Sequence, residues 1–209
     1  MEYNEKQIHI MDTAEKLFAT KGFNGTSVRD IAEAAEVNLA MISYYFGSKE
    51  KLLEAVFVYR SEFFKLQLES MIQNKELTPL QKMESLIDEY INKLTSQQYF
   101  NTIMLREQMK NSNPLVIAQI YNLKNRNMLL IQELIEEGQK KGVFTNDINI
   151  YLLMSTMVGI ANHVHMTKQY FAEKQGLQGL SEEALMKKIQ MILSQHIKKI
   201  FKTILTNEA

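Results

Sequence analysis

The chain contains 209 residues, of which eight are glycine and two are proline, fewer than half the ~12% that these residues make up in an average soluble chain. Hydrophobic residues at 45% and charged residues at 23% are typical of a globular protein and exclude disordered and collagen-like chains. The 24 basic residues balance the 24 acidic ones, and there is no cysteine. Affinity for nucleic acid therefore has to come from local placement of side chains, and disulfide scaffolds, thiolate catalysis and cysteine-based metal sites are excluded.

The N-terminus is polar and lacks a basic segment followed by an apolar stretch, so we expect no secretory signal and a cytoplasmic protein. The segment 148–167 contains no Asp, Glu, Lys or Arg and is long enough to cross a bilayer. It nevertheless contains several polar residues, among them His163 and His165. These favour a helix that is buried inside protein over a membrane-spanning one.

Three short helices are predicted in the first 47 residues. Apolar residues recur at helical spacing over 5–21, and Gly22 follows where a left-handed cap ends a helix. Ser27 begins the second helix, with Asp30 in the capping-box position. After a break of three residues, 39–46 forms the third helix.

The remaining residues are predicted to form about six longer helices, and no segment shows the alternation of a strand. Proline, serine and threonine mark the helix starts, and glycine marks two of the ends. The predicted helices cover about 48–74, 79–94, 99–110 and 114–141, a segment after an Asp147 cap, and a last helix after Ser181. We thus predict an all-α protein of about nine helices, with a small domain over 1–47 and a larger helical domain over 48–209.

Two short helices joined by three residues have the spacing of a helix-turn-helix, in which the second helix enters the major groove of DNA. Ile42 and Phe46 are predicted to face inward, so the outer faces of this helix are unusually apolar and aromatic. Such a surface is poorly suited to water, whereas a DNA groove offers it thymine methyls, base edges and phosphates. The residues left for these faces are Asn38, Leu39, Ala40, Met41, Ser43, Tyr44 and Tyr45.

Two helix starts are candidate phosphate sites. Lys49 begins a helix, where a cation is disfavoured by about 0.3–1 kcal/mol and where a nearby phosphate would reverse that penalty. Thr26 and Ser27 precede the second helix and offer hydroxyl and N–H donors there. We expect these groups to contact one DNA strand.

These residues together resemble the DNA-binding head of the tetracycline-repressor (TetR) family of bacterial regulators. The resemblance covers about the first 55 residues and implies phosphate contacts at Tyr45 and Lys49 and base contacts among residues 38–44. It also implies a homodimer, an inducer pocket in the body, and repression as the default mode. The matching residues are Thr26-Ser27-Val28-Arg29-Asp30-Ile31-Ala32, Val37, and Tyr45-Phe46-Gly47-Ser48-Lys49-Glu50-Lys51-Leu52-Leu53.

The head departs from the family pattern at three positions. Glu36 stands in the turn where the family usually has glycine, which costs on the order of 1 kcal/mol if the backbone there is left-handed. Leu39 and Ser43 replace a frequent polar and a frequent aromatic residue. Residues 1–50 contain five basic and eight acidic residues, a net charge of −3, so we expect weak nonspecific affinity for DNA and a shallow dependence on salt.

The uncharged helix after Asp147 is apolar around most of its circumference and therefore needs cover on more than one side. We predict that it joins the last helix in a two-fold, four-helix interface with a second copy, which would place two recognition helices on a palindromic operator. A monomer in which this helix is fully internal is the alternative. The predicted interface residues are Met157, Ile160, Val164, Ile189, Leu193, Ile197 and Ile200.

An effector pocket is predicted among the middle helices, where aromatic, flexible or polar-tipped side chains are expected to converge. A small apolar or amphipathic molecule bound there would shift the helix that starts at Ser48, respace the two heads and lower the affinity for the operator. Ordinary core packing is the alternative for each of these residues. The candidates are Phe100, Met104, Tyr121, Met128, Tyr151 and His163.

Nothing in the sequence favours an enzyme, a metal site or a cofactor. His163 and His165 are two residues apart on a helix and point to different faces, and no zinc-protease, Walker or nucleophile-elbow motif is found. The expected partners are double-stranded operator DNA, a second copy and an unknown small molecule, with no membrane. The competing hypothesis is a helical protein-interaction module, which would leave Tyr44, Tyr45 and Lys49 without a role.

Overall fold

The computed structural model describes residues 3–110 and 113–206, apart from the side chains of Phe63 and Phe64. Over these residues the chain forms ten α-helices and no strand, which confirms the all-α prediction. The helix beyond the nine expected is the short α9, which follows α8 after the single residue Thr167. The helices are α1 Glu5–Lys21, α2 Val28–Ala34, α3 Leu39–Phe46, α4 Lys49–Gln73, α5 Pro79–Ser96, α6 Gln98–Lys110, α7 Pro114–Lys140, α8 Ile150–Met166, α9 Lys168–Lys174 and α10 Glu182–Leu205.

The chain divides into two compact units. Unit 1 consists of Met1–Leu66 and Gln97–Asn125, and unit 2 of Gln67–Ser96 and Arg126–Ala209. Helices α4 and α7 each contribute residues to both units. Unit 1 thus groups the three head helices with α6 and with parts of α4 and α7, and the functional division at residue 47 stays a prediction.

The caps that the sequence predicts for the head helices are present. Gly22 ends α1 with φ +88°. At the start of α2, the Ser27 N–H donates to Asp30 Oδ2 at 2.8 Å and the Asp30 N–H donates to Ser27 Oγ at 3.0 Å. The hydrogen bonds from Ser27 hold the pKa of Asp30 below its ordinary value. Each cap satisfies backbone groups that have no partner inside the helix.

An apolar cluster and two hydrogen bonds from α6 help to fix α1 in unit 1. Phe18 of α1 is fully buried in the same apolar cluster as Phe57 of α4 and Phe100 of α6, and the last two rings lie 5.0 Å apart. The guanidinium of Arg106 on α6 donates to the carbonyl oxygens of Phe18 and Ala19 in the last turn of α1. A cation is favoured at this end of a helix, where the last carbonyls lack helical partners.

A buried ion-pair network joins α1 to α4. Arg60 Nε donates to Glu15 Oε2 at 2.5 Å, and Arg60 Nη2 donates to Asp12 Oδ1 at 2.6 Å. Glu15 is 3% exposed. Burial raises the pKa of Glu15 above its ordinary value, although the hydrogen bond and the charge of Arg60 act in the opposite direction. The carboxylate of Glu15 therefore depends on Arg60 to remain charged inside the protein.

In unit 2, α5 packs against α10, and α8 packs against both. The predicted cap of α8 at Asp147 is wrong: Asn149 is the N-cap, and its side chain accepts a hydrogen bond from the Leu152 N–H at 3.0 Å. Asn149 caps the helix in place of Asp147 because only a residue next to the first turn can reach the free N–H groups of that turn. In the described part of the chain, no helix has both the length and the apolar character needed to cross a membrane.

Glu36 adopts a left-handed backbone conformation, with φ +53°, as the turn between α2 and α3 requires. This conformation costs a residue with a Cβ roughly 1 kcal/mol and costs glycine almost nothing. We expect Glu36→Gly to raise the free energy of unfolding by about 0.5–1 kcal/mol in urea denaturation. Glu33→Gly, at an exposed site inside α2, is the matched control. It is expected to lower the free energy of unfolding by about the same amount. A loss of stability in Glu36→Gly would contradict this account.

Candidate DNA interface and the helical body

Helices α2 and α3 form a helix-turn-helix whose second helix is held by its inner face. Ile42 and Phe46 are 1% and 7% exposed, which confirms that they face inward. The turn is closed by a hydrogen bond from the Val37 N–H to the carbonyl oxygen of Ala32 at 3.0 Å. His9 Nε2 of α1 lies 3.1 Å from the carbonyl oxygen of Ala35. The backbone of α3 is therefore fixed before any partner binds.

The outer face of α3 is exposed and largely apolar or aromatic. Tyr44 is 83% exposed and Leu39 is 42% exposed. Met41 and Tyr45 are half-buried, and the Tyr44 and Tyr45 rings are 5.3 Å apart. The other exposed residues of the predicted set are Asn38, Ala40 and Ser43. A side chain as large as Tyr44 standing almost free of the protein is suited to contact with a partner surface.

Asn38 has two roles at the start of α3. Its side-chain Oδ1 accepts the Ala40 N–H at 2.8 Å and so caps the helix. An asparagine side chain also has an NH₂ group with two donors. These donors lie at the N-terminal end of α3, the part of a recognition helix that contacts base edges.

The structure uses Thr26 and Ser27 differently from the prediction. Thr26 is 1% exposed; its hydroxyl donates to the Gly22 carbonyl oxygen at 2.8 Å, and its N–H donates to that of Phe23 at 3.3 Å. The Ser27 hydroxyl donates to Asp30 Oδ2 at 2.6 Å. Both side chains thus hold the turn before α2.

Lys49 also has a structural role that the sequence did not reveal. Its Nζ donates to the carbonyl oxygens of Phe23 and Thr26, each at 2.9 Å, and lies 4.3 Å from the centre of the Phe23 ring. These contacts offset the unfavourable position of a cation at the start of α4. An ammonium has three N–H donors, so one remains for a phosphate.

The predicted effector residues are distributed over both units. In unit 1, Phe100 is fully buried, Met104 is half-buried and Tyr121 is exposed. In unit 2, Met128 is half-buried, whereas Tyr151 and His163 are exposed. Neither unit therefore brings all six together.

Most of the predicted dimer residues lie in the interior of unit 2. Of the seven, Ile160 and Ile200 are half-buried, and the other five are buried within the chain itself: Met157, Val164, Ile189, Leu193 and Ile197. Each helix thus has the apolar face that periodicity indicates, and that face is buried in a unit where α5, α8 and α10 pack against one another. The outward faces of α8 and α10 expose large apolar residues, namely Tyr151, Leu152, Met191 and Ile204.

A polar cluster between helices of unit 2 was missed by the sequence analysis. Burial raises the pKa of Tyr90 of α5 to about 12, and Asn162 of α8 acts on this pKa in the opposite direction. Burial, together with the charge of Arg126 on α7, lowers the pKa of Lys93 to about 8. The only sign of this cluster in the sequence is that Tyr90 and Lys93 are three residues apart. An analysis of apolar periodicity assigns Tyr90 to the core and Lys93 to the surface, and so does not connect them.

Among the described residues, no group of three or more His, Asp or Glu side chains is placed to hold a metal ion. The features that carry chemistry are thus the outer face of α3 and the polar cluster in unit 2. A buried helix-turn-helix scaffold with an exposed aromatic reading face defines a DNA-binding protein of the all-α class.

Comparison with known proteins identifies the family. Residues 10–56 match the family model of bacterial regulatory proteins, tetR family, and residues 79–200 match that of the tetracyclin repressor-like C-terminal domain. The chain belongs to the TetR family of bacterial transcriptional regulators. This confirms the predicted family, the helix-turn-helix fold and a DNA-binding regulator that is not an enzyme.

The matched relatives are bacterial regulators. The chain is 33% identical over 134 residues to the probable HTH-type transcriptional regulator YttP of Bacillus subtilis, a match that spans 63% of this chain and 64% of that protein. It is 29% identical over 167 residues to the HTH-type transcriptional repressor NicS of Pseudomonas putida, covering 78% of each. The fold is similar to that of the regulator FadR from Bacillus subtilis in complex with stearoyl-CoA. That likeness has a TM-score of 0.65 and 21% identity, with coverage of 90% of this chain and 97% of the other.

Proposed function

We propose that the protein is a homodimeric repressor that reads a palindromic operator with α3 and is released by a small apolar or amphipathic effector. In this proposal residues 1–47 contact DNA, and residues 48–209 bind the effector and form the dimer. The protein acts in the bacterial cytoplasm, where the DNA is. The observation that carries the proposal is Tyr44, which is 83% exposed on a helix whose opposite face is buried.

Each exposed group on α3 has a matching feature on DNA. The methyl of Ala40 and the side chain of Leu39 are suited to thymine methyls, and the amide of Asn38 to a base edge. The hydroxyls of Tyr44 and Tyr45 can donate to phosphates. The proposed interface also includes the N–H of Lys49 that does not bond a carbonyl oxygen, and the side chains of Met41 and Ser43.

For the dimer, the outward faces of α8 and α10 supply the surface. Leu152 of α8 and Met191 of α10 are 59% and 45% exposed, and Gly159 lies on α8 with no atom within 4 Å of the place where a Cβ would stand. A close approach of a second α8 is therefore sterically open at Gly159. A two-fold dimer would place two α3 helices on half-sites about 34 Å apart.

The class of effector is supported by a structural neighbour. FadR from Bacillus subtilis has been solved with stearoyl-CoA, a molecule with a long apolar chain and a charged head. Differential binding of such a molecule to two conformations of the body would lower the affinity for DNA.

Selection of random duplex DNA on the purified protein tests the proposal, with analytical sedimentation of the bound species alongside. We expect an enriched palindrome bound by a dimer. The absence of enrichment at low salt from a folded protein would favour the helical interaction module instead.

Tyr44→Ala is expected to weaken binding to the selected duplex about tenfold or more, because it removes a ring contact and a phosphate donor. The same change should leave the melting temperature nearly unchanged, since Tyr44 makes few contacts within the protein. Tyr170→Ala, at a tyrosine on α9 that is 63% exposed, is the matched control and should bind DNA as the parent does. Fluorescence anisotropy measures both. Equal affinity of the Tyr44 variant and the parent would show that α3 does not read DNA in the proposed way.

A further inference from the structure

An open cleft of about 550 Å³ lies beside the recognition helix, where the start of α1 approaches α3. We call it the α1–α3 cleft. Tyr45 lines it from α3, and the other four lining residues come from the start of α1 and its N-cap: Asn4, Glu5, Lys6 and His9. All five carry a polar or charged group. The DNA interface described above uses only Tyr45, so the four residues at the start of α1 have no role there.

The cleft is held in a fixed position relative to the helix-turn-helix. His9 Nε2 lies 3.1 Å from the carbonyl oxygen of Ala35, at the turn between α2 and α3. The next residue of α1, Ile10, is buried in the same apolar cluster as Ile42 of α3, and the ring of Tyr45 packs against this cluster. Both walls of the cleft are therefore set by the packing of unit 1 before any partner binds.

Lys6 is a cation without compensation at the start of a helix. It is exposed and is the second residue of α1, where the helix dipole disfavours a positive charge. Lys49 lies at the equivalent end of α4, but its ammonium bonds the carbonyl oxygens of Phe23 and Thr26. Among the described residues, the ammonium of Lys6 has no such contact. An anion in the cleft would supply the missing compensation.

Two neutral side chains of the cleft can donate hydrogen bonds to the same anion. The side-chain oxygen of Asn4 accepts the Gln7 N–H at 2.9 Å, which leaves the NH₂ group of Asn4 with two donors. The hydroxyl of Tyr45 is a third donor. A phosphodiester offers oxygens that only accept hydrogen bonds, so it matches the donors of Asn4, Lys6 and Tyr45.

Tyr45 makes the cleft continuous with the proposed DNA interface, because it belongs both to the outer face of α3 and to the lining of the cleft. A recognition helix lies in the major groove, so the two backbone strands that border the groove pass along its sides. A phosphate bonded by the Tyr45 hydroxyl therefore lies at the mouth of the α1–α3 cleft. The occupant that fits this position is the sugar–phosphate backbone of the operator.

Glu5 is the one acidic residue of the cleft, and its charge opposes that of Lys6. It lies in the first turn of α1, where the helix dipole stabilises a carboxylate. Its effect on a nearby phosphate is repulsive, so Glu5 and Lys6 should act on DNA affinity with opposite signs. Residues 1–50 have a net charge of −3, so the protein makes few phosphate contacts and the loss of one is a measurable share of its salt dependence.

We propose that the α1–α3 cleft holds a phosphate of the operator backbone, with Lys6 as its cation and Asn4 and Tyr45 as hydrogen-bond donors. This inference rests on the proposed function and extends the DNA contact from the helix-turn-helix to α1. The contact adds affinity and fixes the position of the head on DNA, but it carries no sequence preference, because every sequence has the same phosphates.

The salt dependence of DNA binding tests the role of Lys6. Fluorescence anisotropy measures the affinity for the selected duplex and for a mixed-sequence duplex of equal length, over a series of salt concentrations. Lys6→Gln should weaken binding to both duplexes about threefold or more at low salt and should reduce the slope of log K against log salt by about 0.9. The ratio of the two affinities should stay unchanged. Lys6→Arg, which keeps the charge, should keep the slope of the parent.

Two variants on the same helix serve as controls. Lys16→Gln removes an exposed lysine that lies about 15 Å further along α1, beyond the Debye length of about 8 Å at 0.15 M salt. It should bind both duplexes as the parent does, with the same slope. Glu5→Gln removes the opposing charge and should tighten binding about two- to threefold. Circular dichroism checks that all variants remain folded.

Chemical replacement of single phosphates tests whether Lys6 contacts the backbone directly. An uncharged methylphosphonate takes the place of one phosphate at a time in the selected duplex. At one position in each half-site the replacement should weaken binding of the parent about threefold or more. The same replacement should have little effect on Lys6→Gln, because both changes remove the same ion pair.

The inference is overturned if Lys6→Gln keeps the affinity and the salt slope of the parent, or if it weakens binding to the selected duplex alone. It is also overturned if no methylphosphonate position distinguishes the parent from Lys6→Gln. If Tyr44→Ala weakens binding and Lys6→Gln does not, the proposed function stands and this inference fails alone. If the folded parent binds neither duplex at low salt, both fail.

Discussion

Replacing Arg60 by methionine is expected to lower the free energy of unfolding by about 3 kcal/mol at neutral pH, because it leaves a buried carboxylate without its partner. Glu15 is 3% exposed and accepts from Arg60 Nε at 2.5 Å. The side chain of Arg60 is itself 24% exposed, so this figure is at the lower end for a broken buried pair. Urea denaturation of the two proteins measures the difference.

The pH dependence of this variant follows from the pKa of Glu15. Burial raises that pKa above the ordinary value even with Arg60 present, so the folded state holds the proton of Glu15 more tightly than the unfolded state does. The stability that Glu15 gains from its tighter proton is fully present when the pH is below the ordinary pKa of a glutamate. It is lost as the pH rises through the raised pKa of Glu15 in the folded state. Without Arg60 the pKa of Glu15 rises further. The deficit of Arg60→Met relative to the parent should therefore be small near about pH 4 and largest at neutral pH.

A double variant separates the charge from the packing of the arginine side chain. Glu15→Gln removes the buried charge, so Glu15→Gln/Arg60→Met should regain stability relative to Arg60→Met at neutral pH and should lose the pH dependence. Equal stability of the two variants at neutral pH would mean that Arg60 acts through its apolar stem alone. Because Asp12, Glu15 and Arg60 join α1 to α4, this network also fixes the head against the helix that leaves it.

Replacing Gly138 by alanine is expected to destabilise the protein by up to about 3 kcal/mol, through a clash in the interior of unit 2. A Cβ at this position would lie 2.0 Å from Cδ2 of Phe144, a ring that is 5% exposed. The ring cannot withdraw easily, since the N–H groups of Val143 and Phe144 both donate to the Gly138 carbonyl oxygen, at 2.9 and 3.1 Å. Thermal unfolding followed by circular dichroism measures the loss.

A second variant identifies the cause of this loss. Phe144→Leu combined with Gly138→Ala should recover part of the loss, because a smaller side chain relieves the clash. A Gly138→Ala protein as stable as the parent would show that the turn after α7 adjusts without cost.

The local elements of this protein could be predicted from the sequence because they depend on neighbouring residues. The helix periodicity, the Ser27–Asp30 capping box and the glycine after α1 are all interactions within a few positions of the chain. The inward position of Ile42 and Phe46 followed from the same periodicity. The resemblance to the TetR family rested on a run of such local signals, and family comparison confirmed it.

Contacts between distant segments were decided only by the tertiary structure. Lys49 bonds carbonyl oxygens 23 and 26 residues away, and periodicity cannot tell whether an apolar face such as that of Leu193 meets another helix of its own chain or a second copy. The cleft that Lys6 shares with Tyr45, 39 positions further along the chain, arises from the packing of α1 against the helix-turn-helix. Sequence patterns therefore determined the helices and the reading face, because these obey local rules. Packing determined which groups are buried, paired or available to a ligand, because burial depends on neighbours from the whole unit.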